Sequence, residues 1–253
     1  MSRPPATGRE SQFFVGYLPT PRPLVAFLAV VTVVALGLGI GAGIAIVLAQ
    51  QDHGAGRFLP GQQTLRGIVQ TDPYPVLRMP GSTVVLAGLG KRGVQSRAAR
   101  LAGKPVQLGG RFLGRDAGAA NLLQVGGRVK FRELEDPGDL AQWTPAPDRV
   151  LGTFRLKGEI VDSKCYLGAM RPGRGKVHLA CASLCIMGGI PPMFVVHGEQ
   201  QPPELLLLAG PDGGPVPREV LAQVALYVEL EGELLARDDL LIFRVDPASL
   251  RVP

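Results

Sequence analysis

The chain repeats itself, and the repeat limits its fold more than any other feature. Leu86-Ala87-Gly88 recurs as Leu208-Ala209-Gly210, and Val106, Leu108 and Gly110 recur as Val228, Leu230 and Gly232, all at a constant offset of 122 residues. Self-similarity at one offset marks a duplicated structural unit. Each copy shows the same order of local signals. A strand-like run opens it, at 65–69 and again at 156–161. A second apolar run ends in Ala-Gly, and a short helical patch follows, at 95–102 and 218–224. Then comes alternation across a central glycine: Val106, Leu108 and Phe112 in one copy, Leu226, Val228, Leu230 and Leu234 in the other. Period-two alternation predicts a half-buried strand, and Gly110 or Gly232 within it predicts a bulge or bend. A last strand closes each copy, at 121–125 and 240–245. Strands with a helix between the third and fourth predict a five-stranded OB-type barrel.

A second feature sets the surroundings. Residues 24–49 carry no charge, with Thr32 as their only polar side chain. A bilayer core takes ~20 apolar residues in a helix. A cleaved signal sequence has an apolar region of only ~7–15 residues, so an uncleaved anchor is expected. Arg3, Arg9 and Arg22 precede the span, whereas Asp52 and Arg57 follow it. That bias places the N-terminus inside and the rest beyond the cytoplasmic membrane, in the periplasm. Gly37 with Gly41, and Gly39 with Gly43, form small-xxx-small pairs that let helices approach closely. Self-association or contact with other membrane subunits is expected through them.

The expected architecture is therefore mainly β with short helices: an N-terminal transmembrane helix followed by two tandem OB-like barrel units. The divisions are a leader at 1–22, a transmembrane helix at 23–50, a first unit at 62–134 and a second at 154–250. A linker at 135–153, rich in proline and turn residues, joins the units. The net charge of +6 is spread along the chain without a block of like charges. Few aromatics are interleaved with it, and a nucleic-acid partner is not supported.

The copies differ at one place. Gly67 to Leu86 is 19 residues, but Gly158 to Leu208 is 50, leaving 31 extra residues after the first strand of the second copy. The inserted segment, 162–193, holds all three cysteines of the chain, Cys165, Cys181 and Cys185, together with His178. Residues 177–187 read as a helix stopped by Gly188-Gly189 and Pro191-Pro192. On it His178, Cys181 and Cys185 fall at i, i+3 and i+7, one face. Cys165, at the end of the preceding strand, is positioned to meet them. Soft anionic donors from two elements suit a tetrahedral Cys₃His metal site.

Three cysteines in an oxidising compartment cannot all pair within one chain. Three readings stay open: a metal site at Cys165, His178, Cys181 and Cys185; a disulfide from Cys165 to a helix cysteine with one thiol left over; and a reactive thiol. For a metal, zinc and copper lead, with an iron–sulfur cluster ranked below them. A covalent haem is not supported, because no Cys-x-x-Cys-His occurs. Lys164, Arg171, Arg174 and Lys176 surround the site in sequence; each alone reads as a solvated loop residue, and the alternative is that they lower thiol pKa values or dock an acidic partner. Asp162 reads as an ordinary turn residue next to Ser163, with holding the second nitrogen of His178 as the alternative. Met187 and Met193 read as core, with a thioether-ligand role as the alternative; His197 reads as a strand-end residue, and Tyr166 and Trp143 as packing residues.

The Cys181-x₃-Cys185 pair resembles the ligand pair of periplasmic copper chaperones and of the dinuclear copper site in oxidase subunits, over that pair alone. The run Asp162-Ser163-Lys164-Cys165, then His178-x₂-Cys181-x₃-Cys185-x₃-Gly189, resembles a group of exported or membrane-anchored bacterial small β domains of uncharacterised function. That resemblance spans roughly residues 156 to 200. It implies a barrel and no activity.

The function expected is that of a membrane-anchored, extracytoplasmic metal-binding accessory protein in a membrane redox or metal-handling system. The alternatives are a structural accessory subunit with a disulfide and no metal, and a thiol–disulfide oxidoreductase. No paired-carboxylate motif, phosphate loop or Ser/His/Asp signature argues for another enzyme.

Overall fold

The computed structural model describes residues 20–49, 56–115, 122–126, 129, 131–196 and 204–252. The chain forms two compact units, Met1–Asp52 and His53–Pro253. In the first, one helix, α1 (Arg22–Ala49), accounts for the uncharged run. It is long and apolar enough to cross a membrane, and none of it is buried by protein. An N-terminal signal sequence meets the same test of length and composition.

The second unit is the duplicated one. Its first half contains β1 (Arg57–Phe58), β2 (Gln63–Gln70), β3 (Val76–Met79), β4 (Ser82–Ala87), α2 (Gln95–Ala99), β5 (Pro105–Gly114), β6 (Leu122–Val125) and β7 (Arg132–Glu133). The second half contains β8 (Arg149–Asp162), α3 (Leu179–Met187), β9 (Pro192–Val196), β10 (Glu204–Ala209), α4 (Arg218–Leu221), β11 (Tyr227–Arg237) and β12 (Leu240–Arg251). In the first barrel β5, β2, β3, β4 and β6 pair in that order, and β6 returns to β5. In the second, β11, β8, β9, β10 and β12 pair likewise, and β12 returns to β11. All these pairings are antiparallel except β4 with β6 and β10 with β12. Both halves thus share one strand order, with a helix before the fourth strand, as the 122-residue offset predicts and as an OB-type barrel requires.

The recurring glycines answer the same demand in each copy. A Cβ on Gly110 would collide with the carbonyl of Gln124, and one on Gly232 with the carbonyl of Arg244. Close approach of the fifth strand, rather than a bulge at the glycine itself, fixes these residues; the nearest irregularities in the second barrel fall between Glu229 and Glu231 and between Leu234 and Leu235. One boundary differs from the sequence reading. β8 begins at Arg149 and so takes in residues 149–153 of the range read as linker.

Each barrel has its own core. Val69, Leu77, Val84, Leu86, Val106 and Leu108 pack inside the first. Ile160, Phe194, Leu206, Leu208, Val228 and Phe243 pack inside the second. A third core lies between the barrels, where Val85 and Ala87 meet Leu207 and Ala209. Val85 and Ala87 are the 122-residue equivalents of Leu207 and Ala209. Residues 84–87 of β4 and 205–209 of β10 are therefore apolar on both faces because each run has a core on both sides. The two copies are joined through equivalent faces.

Candidate metal centre

The inserted segment leaves β8 at Asp162 and returns at β9. Cys165 opens a single wide helical turn, Cys165–Ala169, rather than ending the strand itself. Gly168, at φ 126°, reverses the chain there, a conformation that side chains other than hydrogen disfavour. A tight 3₁₀ turn, Lys176–His178, then leads into α3. His178 thus precedes the α-helix, whereas Cys181 and Cys185 lie on it.

These elements bring the expected residues together in two overlapping groups. Ligand atoms of Cys165, His178 and Cys181 all lie within 4.8 Å of one another, and so do those of Asp162, Cys165 and Cys185. Cys165 belongs to both. All three cysteines are free thiols; Cys165 and Cys185 are buried and Cys181 is half-buried. The Sγ atoms of Cys165 and Cys185 are 4.0 Å apart. Asp162, 0 % exposed, accepts the backbone N–H of Cys165 through Oδ1 at 2.8 Å and holds His178 Nε2 with Oδ2 at 3.0 Å. The carboxylate thereby orients the ring and leaves Nδ1 as the nitrogen it does not engage.

The electrostatics divide the buried pair. The Cys185 thiol is lowered to about 7, chiefly by its hydrogen bond with Cys165 and, against burial, by the charge of Lys91. The Cys165 thiol is pushed up by that same hydrogen bond, by burial and by the Asp162 carboxylate. The shared hydrogen bond and the nearby charges thus favour the thiolate at Cys185 over that at Cys165.

The cation beside the sulfurs comes from the other barrel. Lys91, in the loop between β4 and α2, places Nζ 2.8 Å from Cys181 Sγ and 3.7 Å from Cys185 Sγ. Its hydrogen bond to Cys181 holds the ammonium above its usual pKa. Lys164, read from sequence as one of the basic residues around the site, is instead buried and donates to the carbonyls of Gly88 and Gly90, both at 2.7 Å. It ties the segment to the first barrel. Gly93 N–H adds a bond to the carbonyl of Gly188 at 2.8 Å.

Sequence reasoning missed two residues. Lys91 gives no local signal, because its partners lie 90 and 94 residues away. Met170 was overlooked, and its Sδ lies 3.4 Å from Cys181 Sγ. Met193 is core, as expected, but Met187, the last residue of α3, is 82 % exposed. Tyr166 is a buried packing residue beneath the Arg115 guanidinium. His197, and the Arg3, Arg9 and Asp52 on which the orientation rests, lie outside the described residues.

No family model matches the chain, and no curated protein or solved structure matches it either.

Proposed function

We propose that this protein binds a metal ion through Cys165, His178, Cys181 and Cys185 as an accessory of a membrane redox or metal-handling system, without turnover of its own. One observation carries the reading. Two thiolates held ~2.3 Å from one tetrahedral ion stand ~3.8 Å apart, and Cys165 and Cys185 stand at 4.0 Å. A disulfide would need the sulfurs at about 2.0 Å. The donor set fits: thiolates, an imidazole oriented by a carboxylate, and an ammonium that offsets their charge. The fold is consistent with an anchor at α1 and the barrels beyond the membrane, with Gly37, Gly39, Gly41 and Gly43 open to a helix partner. A phosphatase fused to the C-terminus should be active; an inactive fusion, or a mature chain that starts near Gln50, would count against the anchored topology.

The same thiol pair favours one other reading. A hydrogen-bonded Cys165–Cys185 pair can be oxidised to a disulfide, which gives a structural subunit or a thiol oxidoreductase. Metal analysis and thiol titration on the detergent-purified full chain separate the two. Bound metal with three thiols recovered under denaturing, chelating conditions supports the metal site. One reactive thiol and no metal supports the disulfide.

A further inference from the structure

The sulfurs form a path from the core to the surface. Cys165 and Cys185 are buried, Cys181 is half-buried, and Met170 is 47 % exposed. The steps are short: 4.0 Å between Cys165 and Cys185, and 3.4 Å between Cys181 and Met170. Cys165 and Cys181 share the group whose ligand atoms lie within 4.8 Å, which connects the two ends. The outermost donor is a thioether. Zinc sites are built from thiolate, imidazole and carboxylate, whereas thioethers together with thiolates select Cu(I). A neutral thioether at the mouth also gives the ion a weak first ligand, from which thiolates can take it.

We infer that Met170 is a ligand through which Cu(I) enters and leaves the cysteine cluster, which makes Cu(I) the cargo of this site. Transfer is ligand exchange at constant oxidation state. A donor's ligand is displaced by Met170 Sδ, then Cys181 Sγ replaces it as the ion moves inward. Any thiol proton released goes to water, and no electron moves. Lys91, 2.8 Å from Cys181 Sγ, balances the negative charge that a monovalent ion leaves on two or three thiolates.

This inference rests on the metal-site reading, and the test separates the two. The full chain in detergent is mixed anaerobically with the Cu(I)–bicinchoninate complex, and loss of the chromophore reports uptake. Zn(II) binding is measured in parallel. Met170→Leu conserves volume at a half-exposed position and should keep the fold, which thermal unfolding checks. The expected result is one Cu(I) bound per chain, with uptake slowed about tenfold or more in Met170→Leu, on the scale of a lost metal-site partner. Zn(II) affinity should be unchanged by that variant. Equal Cu(I) uptake rates in the two proteins would overturn the role of Met170. Zinc bound without copper would overturn the inference but leave the metal site standing. Neither metal bound would remove both.

Discussion

At the residue scale, Asp162 is the position on which the site most depends. One oxygen fixes the Cys165 backbone and the other the His178 ring, so two candidate ligands take their placement from one buried carboxylate. Asp162→Asn keeps an acceptor for the Cys165 N–H but replaces the charged partner of the imidazole. Metal affinity should fall about 10- to 100-fold, as it does when outer partners of a metal-bound histidine are lost, with the circular dichroism of the barrels unchanged. Competition with a chromophoric chelator reads this directly, and an affinity within twofold of the parent would show that Asp162 has no part in the site. Cys165→Ser should be more severe than loss of either helix cysteine, because Cys165 belongs to both ligand groups. If the cysteines instead form a Cys165–Cys185 disulfide, Cys165→Ser and Cys185→Ser should match each other and Cys181→Ser should be nearly silent. These residues were legible from spacing alone. A thiol after a strand, with a histidine and two thiols at i, i+3 and i+7, leaves few arrangements that keep them apart. Lys91 was not legible, because its relation to the thiols depends on how two barrels dock and not on any local pattern.

At the level of elements, α3 is held by its C-terminal end. A Cβ on Gly188 would collide with the carbonyl of Lys91, although the glycine has an ordinary helical conformation, φ −77°. The requirement is therefore close approach and not backbone freedom. Gly188→Ala should destabilise the protein by ~1–3 kcal/mol, the usual cost of overpacking a tight contact. It should push the Lys91 loop away from the sulfurs and speed amide exchange at Gly93, whose N–H bonds to Gly188 at 2.8 Å. Unchanged exchange at Gly93 would mean that the loop and α3 are not coupled. The strands show how far pattern reading reaches. β5 and β11 alternate and were placed by period two. Residues 84–87 of β4 and 205–209 of β10 are unbroken apolar runs, and the core shared by the two barrels explains why neither run has a polar face. Met187 shows the opposite failure: it is apolar and beside a packed helix face, yet the Lys91 loop packs on Gly188 and leaves the Met187 side chain 82 % exposed.

In the molecule as a whole, the duplication is also a docking rule. Arg115 and Arg237 are equivalents at the 122-residue offset. Arg115 donates to the carbonyl of Tyr166 at 2.8 Å, and Arg237 to the carbonyl of Asp72 at 2.6 Å. Each barrel thus grips the other's loop after its first strand. Tyr74, in the shorter of these loops, accepts the Val216 N–H at 3.1 Å. In the longer one Lys164 reaches Gly88 and Gly90. The candidate metal centre occupies the enlarged half of a nearly reciprocal interface, which is why its lysine comes from the other copy. A repeat offset reveals that two units are alike; it carries no information about which faces they join. One asymmetric clamp strengthens the union. Arg78, buried on β3, makes a two-pronged pair with Asp238 in the β11–β12 turn, at 2.9 Å for each bond, and Thr83 adds a third bond to that carboxylate at 2.7 Å. Burial pushes the Asp238 carboxyl up, but Arg78, Thr83 and the charge of Arg237 outweigh it and hold it below its ordinary value. A carboxylate whose folded pKa is depressed stabilises the fold fully above its unfolded pKa, and that contribution is lost as pH falls through the folded value. Asp238 sits at φ 54°, which asparagine tolerates well, so Asp238→Asn keeps the backbone while it removes the charge and one of the two acceptors of Arg78. At pH 7 it should destabilise the barrels by about 3 kcal/mol, the lower range for leaving one member of a buried pair alone. In urea unfolding the gap between parent and variant should narrow as pH drops below the ordinary aspartate value of 3.8. Both barrels should still unfold in a single transition, because the core between them belongs to both. A gap that stays constant down to pH 2 would show that the Asp238 charge does not hold the barrels together.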